Sequence, residues 1–153
     1  MKAFLQLSLC LLILSSGLSC KKKKVIDQAT ADENIITKYI AEHGLNATAT
    51  GSGLYYVISS QGTGVQPTAS SNVTVIYKGY LTDGTVFDRS PTGGYTTSLS
   101  KVIQGWQEGI PLFKKGGKGI LLIPSALGYG SNATGSIPAN SVLIFDIELV
   151  DVN

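Results

Sequence analysis

The side chains able to do covalent or acid–base chemistry are few in this chain. Its 153 residues hold one histidine, His43, and two cysteines, Cys10 and Cys20, both within the first twenty positions. No Ser/His or Cys/His pair is in prospect, because the histidine lies outside the β-rich body. No cluster of His, Cys and carboxylate has the spacing of a metal site. Gly116-Gly117-Lys118-Gly119 lacks the spacing of a phosphate loop and precedes a strand instead of a helix. What the body offers is pocket material: Tyr77, Phe87, Tyr95, Trp106, Tyr129 and Phe145, with one carboxylate, Asp88, directly after Phe87. A cleft of rings with few polar groups suits an apolar ligand or a peptide side chain.

The elements that must position these rings are legible from spacing. Val102-Ile103-Gln104-Gly105-Trp106 joins a β-branched pair to the only tryptophan, and Ile110 and Phe113 follow at i+4 and i+7. That is one apolar face of a helix, limited to about two turns by Gly109 and Pro111. So short a piece needs a sheet around it, where the indole serves as a pocket wall or as a core anchor. Strands are expected at Leu54–Ser59 and at Val73–Leu81, with period two. A turn at Asp83-Gly84 leads into Thr85–Asp88, and Arg89–Gly94 is a loop. Gly119–Ile123 is a continuous apolar strand ended by Pro124. In Val142–Val150, Leu143, Phe145, Ile147 and Leu149 share one face, opposite Asp146 and Glu148. Ala126–Asn140, carrying Tyr129 and Ile137-Pro138, is long enough to be functional. The class is α+β, an antiparallel sheet with one short helix packed on it.

The formal charge of +2 misleads, because Lys2 and Lys21 to Lys24 supply five of the twelve basic residues. From Val25 onward seven basic and ten acidic residues give a net of −3, so nothing points to nucleic acid. An apolar run from Ala3 to Leu14, followed by small residues and Cys20, resembles a bacterial lipoprotein signal with Cys20 as the lipidated residue. Gly17 departs from the large aliphatic residue expected three places earlier, and plain secretion or an uncleaved anchor are the alternatives. Asp27–Gly44 reads as a helix with Ile35, Ile36, Tyr39 and Ile40 in one stripe. Thr30 and Glu33 are expected to cap it, and Gly44 to stop it. Asn46–Gly53 reads as a linker.

Four motifs, "VTVIYKGYLTDGTVFD", "VIQGWQEGI", "ALGYG" and "SIPANSVLIFDIEL", stand in register between Val73 and Leu149. Together they resemble the FKBP family of peptidyl-prolyl cis-trans isomerases, and the leader and short helix resemble those of its bacterial envelope lipoprotein members. The resemblance implies a curved antiparallel sheet wrapped on one short helix, with a short N-terminal helix ahead of it. It implies a signal segment at 1–20, a spacer, helix and linker at 21–52, and an isomerase domain at 53–153. Trp106 would be the pocket floor, and Tyr77, Phe87 and Phe145 its walls. Val102 and Ile103 would form a lip, the Ile103 N–H bonding a substrate carbonyl. Tyr129 would offer its hydroxyl to another carbonyl, Asp88 would stand at the mouth, Tyr95 would add an aromatic, and Ile137 would cover the proline. Tyr77 and Phe145 also sit where any such sheet is apolar. Thr97, where relatives often carry a second aromatic, and a shorter Val102 loop depart from the pattern. Implied with these are catalysis without cofactor or metal and proline-containing unfolded proteins as partners. Macrolide inhibitors, a monomeric state and an envelope location facing the periplasm are implied as well. A non-catalytic chaperone or adaptor using the same pocket is the competing class, and dimerisation through the Ala31–His43 helix a weaker third.

Overall fold

A computed structural model describes residues 27–153. The signal-like segment, Cys20 and the run Lys21 to Lys24 lie outside them. In chain order the elements are α1 (Gln28–Glu42), β1 (Thr48–Ala49), β2 (Tyr55–Ser60), β3 (Asn72–Tyr80), β4 (Val86–Arg89), β5 (Tyr95–Ser98), α2 (Gln104–Gly109), β6 (Lys118–Ile123) and β7 (Leu143–Val152). Short 3₁₀ turns at Leu99–Lys101, Ile110–Leu112 and Ser125–Leu127 fill three of the connections.

The sheet is antiparallel, in the order β1-β2-β6-β7-β3-β4, with β5 also on β3. It curves around α2, so the expected architecture is the observed one. Alternation explains its two faces. On the inner face Val73, Val75, Leu121, Ile123, Leu143, Phe145, Ile147 and Leu149 join Trp106, Ile110 and Phe113 in one buried cluster. The helix lies close because its backbone is bare at the contact. A Cβ on Gly105 would stand 2.4 Å from Ile123, and one on Gly109 2.7 Å from Leu121. On the outer face Ile36 of α1 packs with Leu122 and Val142 in a second cluster. Beyond that cluster the outer face carries cross-strand ion pairs, Lys78–Asp146 at 3.0 Å and Lys118–Glu148 at 3.0 Å.

Several expectations shift. Thr30 does not cap α1: it lies inside the helix, and Asp27 is the cap, its Oδ1 accepting the Thr30 N–H at 3.0 Å. Glu33 turns instead to the Tyr55 hydroxyl, across to β2. Ile35 is 39% exposed, off the buried stripe that Ile36 leads. Gly44 does end the helix, at φ 59°. The stretch read as a linker contains β1, paired with β2. Tyr95–Ser98 was not expected as a strand, since Thr96, Thr97 and Ser98 offer no apolar alternation. It is held by backbone pairing with β3 and a 2.8 Å bond between the Thr74 and Thr96 hydroxyls.

Phe113 is fully enclosed beneath α2. Phe113→Ala is expected to lower the free energy of unfolding by about 3–5 kcal/mol, measured by urea denaturation.

Candidate active site

Between α2 and the inner face opens a cleft of about 430 Å³. That is within the range of small-ligand pockets, roughly 300–1,000 Å³. It is lined by residues from six separate pieces of chain. β3 supplies Tyr77, β4 supplies Phe87 and Asp88, and β5 supplies Tyr95. Lys101, Val102 and Ile103 lead into α2, which carries Trp106, while Tyr129 comes from the long loop and Phe145 from β7.

The rings meet edge to face around the indole. Trp106 lies 4.9 Å from Tyr77 at 85° and 5.3 Å from Phe145 at 78° between ring centroids and planes. Phe87 in turn meets Phe145 at 5.5 Å and 82°, and Tyr95 meets Tyr77 at 6.3 Å and 74°. Such geometry sets the positive edge of one ring against the negative face of another, each pair contributing about 0.5–1.5 kcal/mol beyond burial. Room for it comes from Gly79 on β3, where a Cβ would stand 2.6 Å from the Phe87 ring and 2.8 Å from Phe145. Trp106 is only 4% exposed, and its Nε1–H is buried without a hydrogen-bond partner.

Polar groups are confined to the rim. The Tyr77 hydroxyl donates to Asp88 Oδ2 at 2.6 Å, and Asp88 Oδ1 accepts the Arg89 N–H at 2.8 Å. Burial, then the bond to the Asp88 carboxylate, pushes the Tyr77 phenol well above its ordinary range. Among the described ion pairs none joins Asp88 to Arg89. Ile103 lines the cleft as the N-cap residue of α2, and its N–H makes no backbone hydrogen bond among the described residues. The lip is fixed by Gln107, whose Nε2 donates to the Val102 carbonyl at 2.8 Å.

Nine of the ten pocket residues expected from sequence line this cleft. Ile137 does not. It is 6% exposed and belongs to the core cluster, because reciprocal backbone bonds of 2.9 Å between Thr134 and Ile137 turn the loop inward. Thr97 is likewise absent from the lining. Sequence reasoning missed Lys101 and Gln107. Lys101 was legible only as a charge next to the Val102 lip, and Gln107 only as a polar residue one step after Trp106. Among the described residues no three His, Cys, Asp or Glu side chains gather as metal ligands would.

The model of the FKBP-type peptidyl-prolyl cis-trans isomerase family matches residues 64–150, more than half of the chain and every residue lining the cleft. The chain belongs to that family. It is 54% identical over 138 residues to the FKBP-type isomerase FkpA of Buchnera aphidicola subsp. Schizaphis graminum, covering 84% of this chain and 54% of that one. The crystal structure of FkpA from Escherichia coli superposes with a TM-score of 0.70 at 41% identity, over 82% of this chain and 61% of that one. A peptidyl-prolyl cis-trans isomerase from Pseudomonas syringae pv. tomato gives 0.73 at 32% identity, over 82% and 93%. The chain spans about half the length of the FkpA relatives it matches.

For this FKBP-family cleft the Tyr77 phenol gives a pH test. Its proton is held more tightly in the folded state than the ordinary phenol value of 10.0 allows. Below pH 10 folded and unfolded chains both carry that proton. Above it the unfolded chain ionises first, so stability falls as pH rises. The urea midpoint is expected to decline above pH 10, and less steeply in Tyr77→Phe.

Proposed function

We propose that the chain accelerates rotation about X–Pro bonds in proteins folding in the cell envelope. The observation that carries this reading is the cleft itself: an aromatic floor and walls with polar groups only at the rim. Rotation about an X–Pro bond faces a barrier of about 18–20 kcal/mol, because the amide loses resonance at its twisted midpoint. Water stabilises the planar amide through its polarised carbonyl. A pyrrolidine ring seated over Trp106, between Tyr77, Phe87 and Phe145, leaves that water behind. The twisted amide, with a less polar carbonyl, loses less by the transfer, and this difference in binding lowers the barrier. The Ile103 N–H is free to take a substrate carbonyl, and the Tyr129 hydroxyl a second one. Asp88, bonded to Tyr77, sets the wall ring and the polarity of the mouth. No nucleophile or proton transfer is needed, and each factor of ten corresponds to about 1.4 kcal/mol of preferential binding.

The rest of the reading is supported by sequence. The lipoprotein-like signal with Cys20 favours an envelope protein facing the periplasm, anchored through lipid at Cys20. Its units are 1–20, 21–52 and 53–153, acting as a monomer on proline-containing unfolded chains. The same cleft is the place where a macrolide would compete.

Residues 25–153 are expected to speed isomerisation of a Pro-containing peptide in a protease-coupled assay, and a macrolide to suppress it. An unchanged rate defeats the reading. Phe87→Ala is expected to lower kcat/KM about 10- to 100-fold while the near-native circular dichroism persists. Loss of neither turnover nor client holding in that variant would favour a surface-driven chaperone.

A further inference from the structure

Among the described residues the buried polar side chains are Asp32 and Ser125, at 1% and 2% exposed, and they hold each other across 93 positions of sequence. Asp32 Oδ2 accepts the Ser125 N–H at 2.7 Å and its hydroxyl at 2.6 Å. Asp32 Oδ1 accepts Gln28 Nε2 at 2.7 Å. A carboxylate survives such burial only with its oxygens taken up this way.

The arrangement continues toward the cleft. The Ser125 carbonyl accepts the N–H of Gly128 at 3.0 Å and that of Gly130 at 2.8 Å, the residues on either side of Tyr129. The Gly130 carbonyl then accepts the Asn140 N–H at 2.7 Å, tying in the far end of the loop. A chain of hydrogen bonds therefore runs from α1, on the outer face of the sheet, to the one loop residue that lines the cleft on the inner side.

Anchoring alone does not explain a buried charge here. α1 is already held by Ile36 in the outer cluster and by Glu33 on the Tyr55 hydroxyl. A buried carboxylate adds little to stability over an apolar residue of similar size. What it adds is direction, since two donors of one residue are fixed on one oxygen.

We propose that Asp32 is a positioning residue for the cleft, holding Ser125 and, through the Ser125 carbonyl, the backbone on both sides of Tyr129. Its kinetic consequence rests on the isomerase reading; its structural consequence does not.

The test uses the full chain with Asp32→Ala, the milder Asp32→Asn, Tyr129→Phe and the double variants. Amide exchange at Gly128 and Gly130 is expected to quicken about tenfold in Asp32→Ala, with β7 amides unchanged. In the isomerase assay Asp32→Ala is expected to lose about fivefold in kcat/KM, mainly through KM. In a Tyr129→Phe background it is expected to lose no more than about twofold further. Unchanged exchange at Gly128 and Gly130, or losses that multiply in the double variant, would overturn the proposal. If Asp32→Ala does not fold, Asp32→Asn is read the same way, with smaller shifts in the same direction expected. A wild-type chain without isomerase activity would defeat the isomerase reading, and the exchange data alone would then decide the role of Asp32.

Discussion

The structure depends on seating one nearly buried indole at the floor of an aromatic cleft. Trp106 is enclosed by Tyr77 and Phe145 edge-on and by the packed inner surface of the sheet below. Ridges of backbone elsewhere would prevent this. Glycine at position 79 lets Phe87 and Phe145 slide across β3, and glycine at position 105 lets α2 settle against Ile123. The consequence is a floor that is rigid by packing and dry by composition. The Nε1–H of Trp106 is buried in that packing with no protein hydrogen-bond partner among the described residues.

Much of the fold could be read from the chain because its long strands have strict period two. β3 and the Phe145–Leu149 stretch of β7 alternate, and the inner face of the sheet follows from that alternation, although Ile144 is buried as well. What could not be read depends on backbone pairing without a side-chain signature. β5 is polar and short, and only its neighbour β3 makes it a strand. β1 is two residues of a stretch that looks like linker. The bounds of α1 agree with the sequence, but Thr30 and Glu33 mimic a capping pair that does not form. Asp27 competes for the same N–H and prevails, and Glu33 finds a tertiary partner in Tyr55.

The cleft was legible to a different degree in its different parts. Residues on strands and on α2 fell where their spacing put them, since Tyr77, Phe87, Trp106 and Phe145 project from regular elements. Loop residues were harder. Tyr129 reaches the cleft but Ile137 turns into the core, and the difference lies in hydrogen bonds between Thr134 and Ile137 that no pattern announces. Lys101 and Gln107 act through position, one on the lining and one on the Val102 carbonyl. Asp32 was the least visible, as its partner lies most of a chain length away.

The order of the sheet also governs how the molecule is made. β7, which follows β6 and β3 in the chain, sits between them in the middle of the sheet, with Tyr77 opposite Ile147 and Leu121 opposite Phe145. During synthesis the earlier strands wait on the ribosome with open edges and no central neighbour. Assembly is accordingly late, slow and dependent on distant pairings. Until β7 is in place, such a chain presents unpaired strand edges of the kind that pair with other chains.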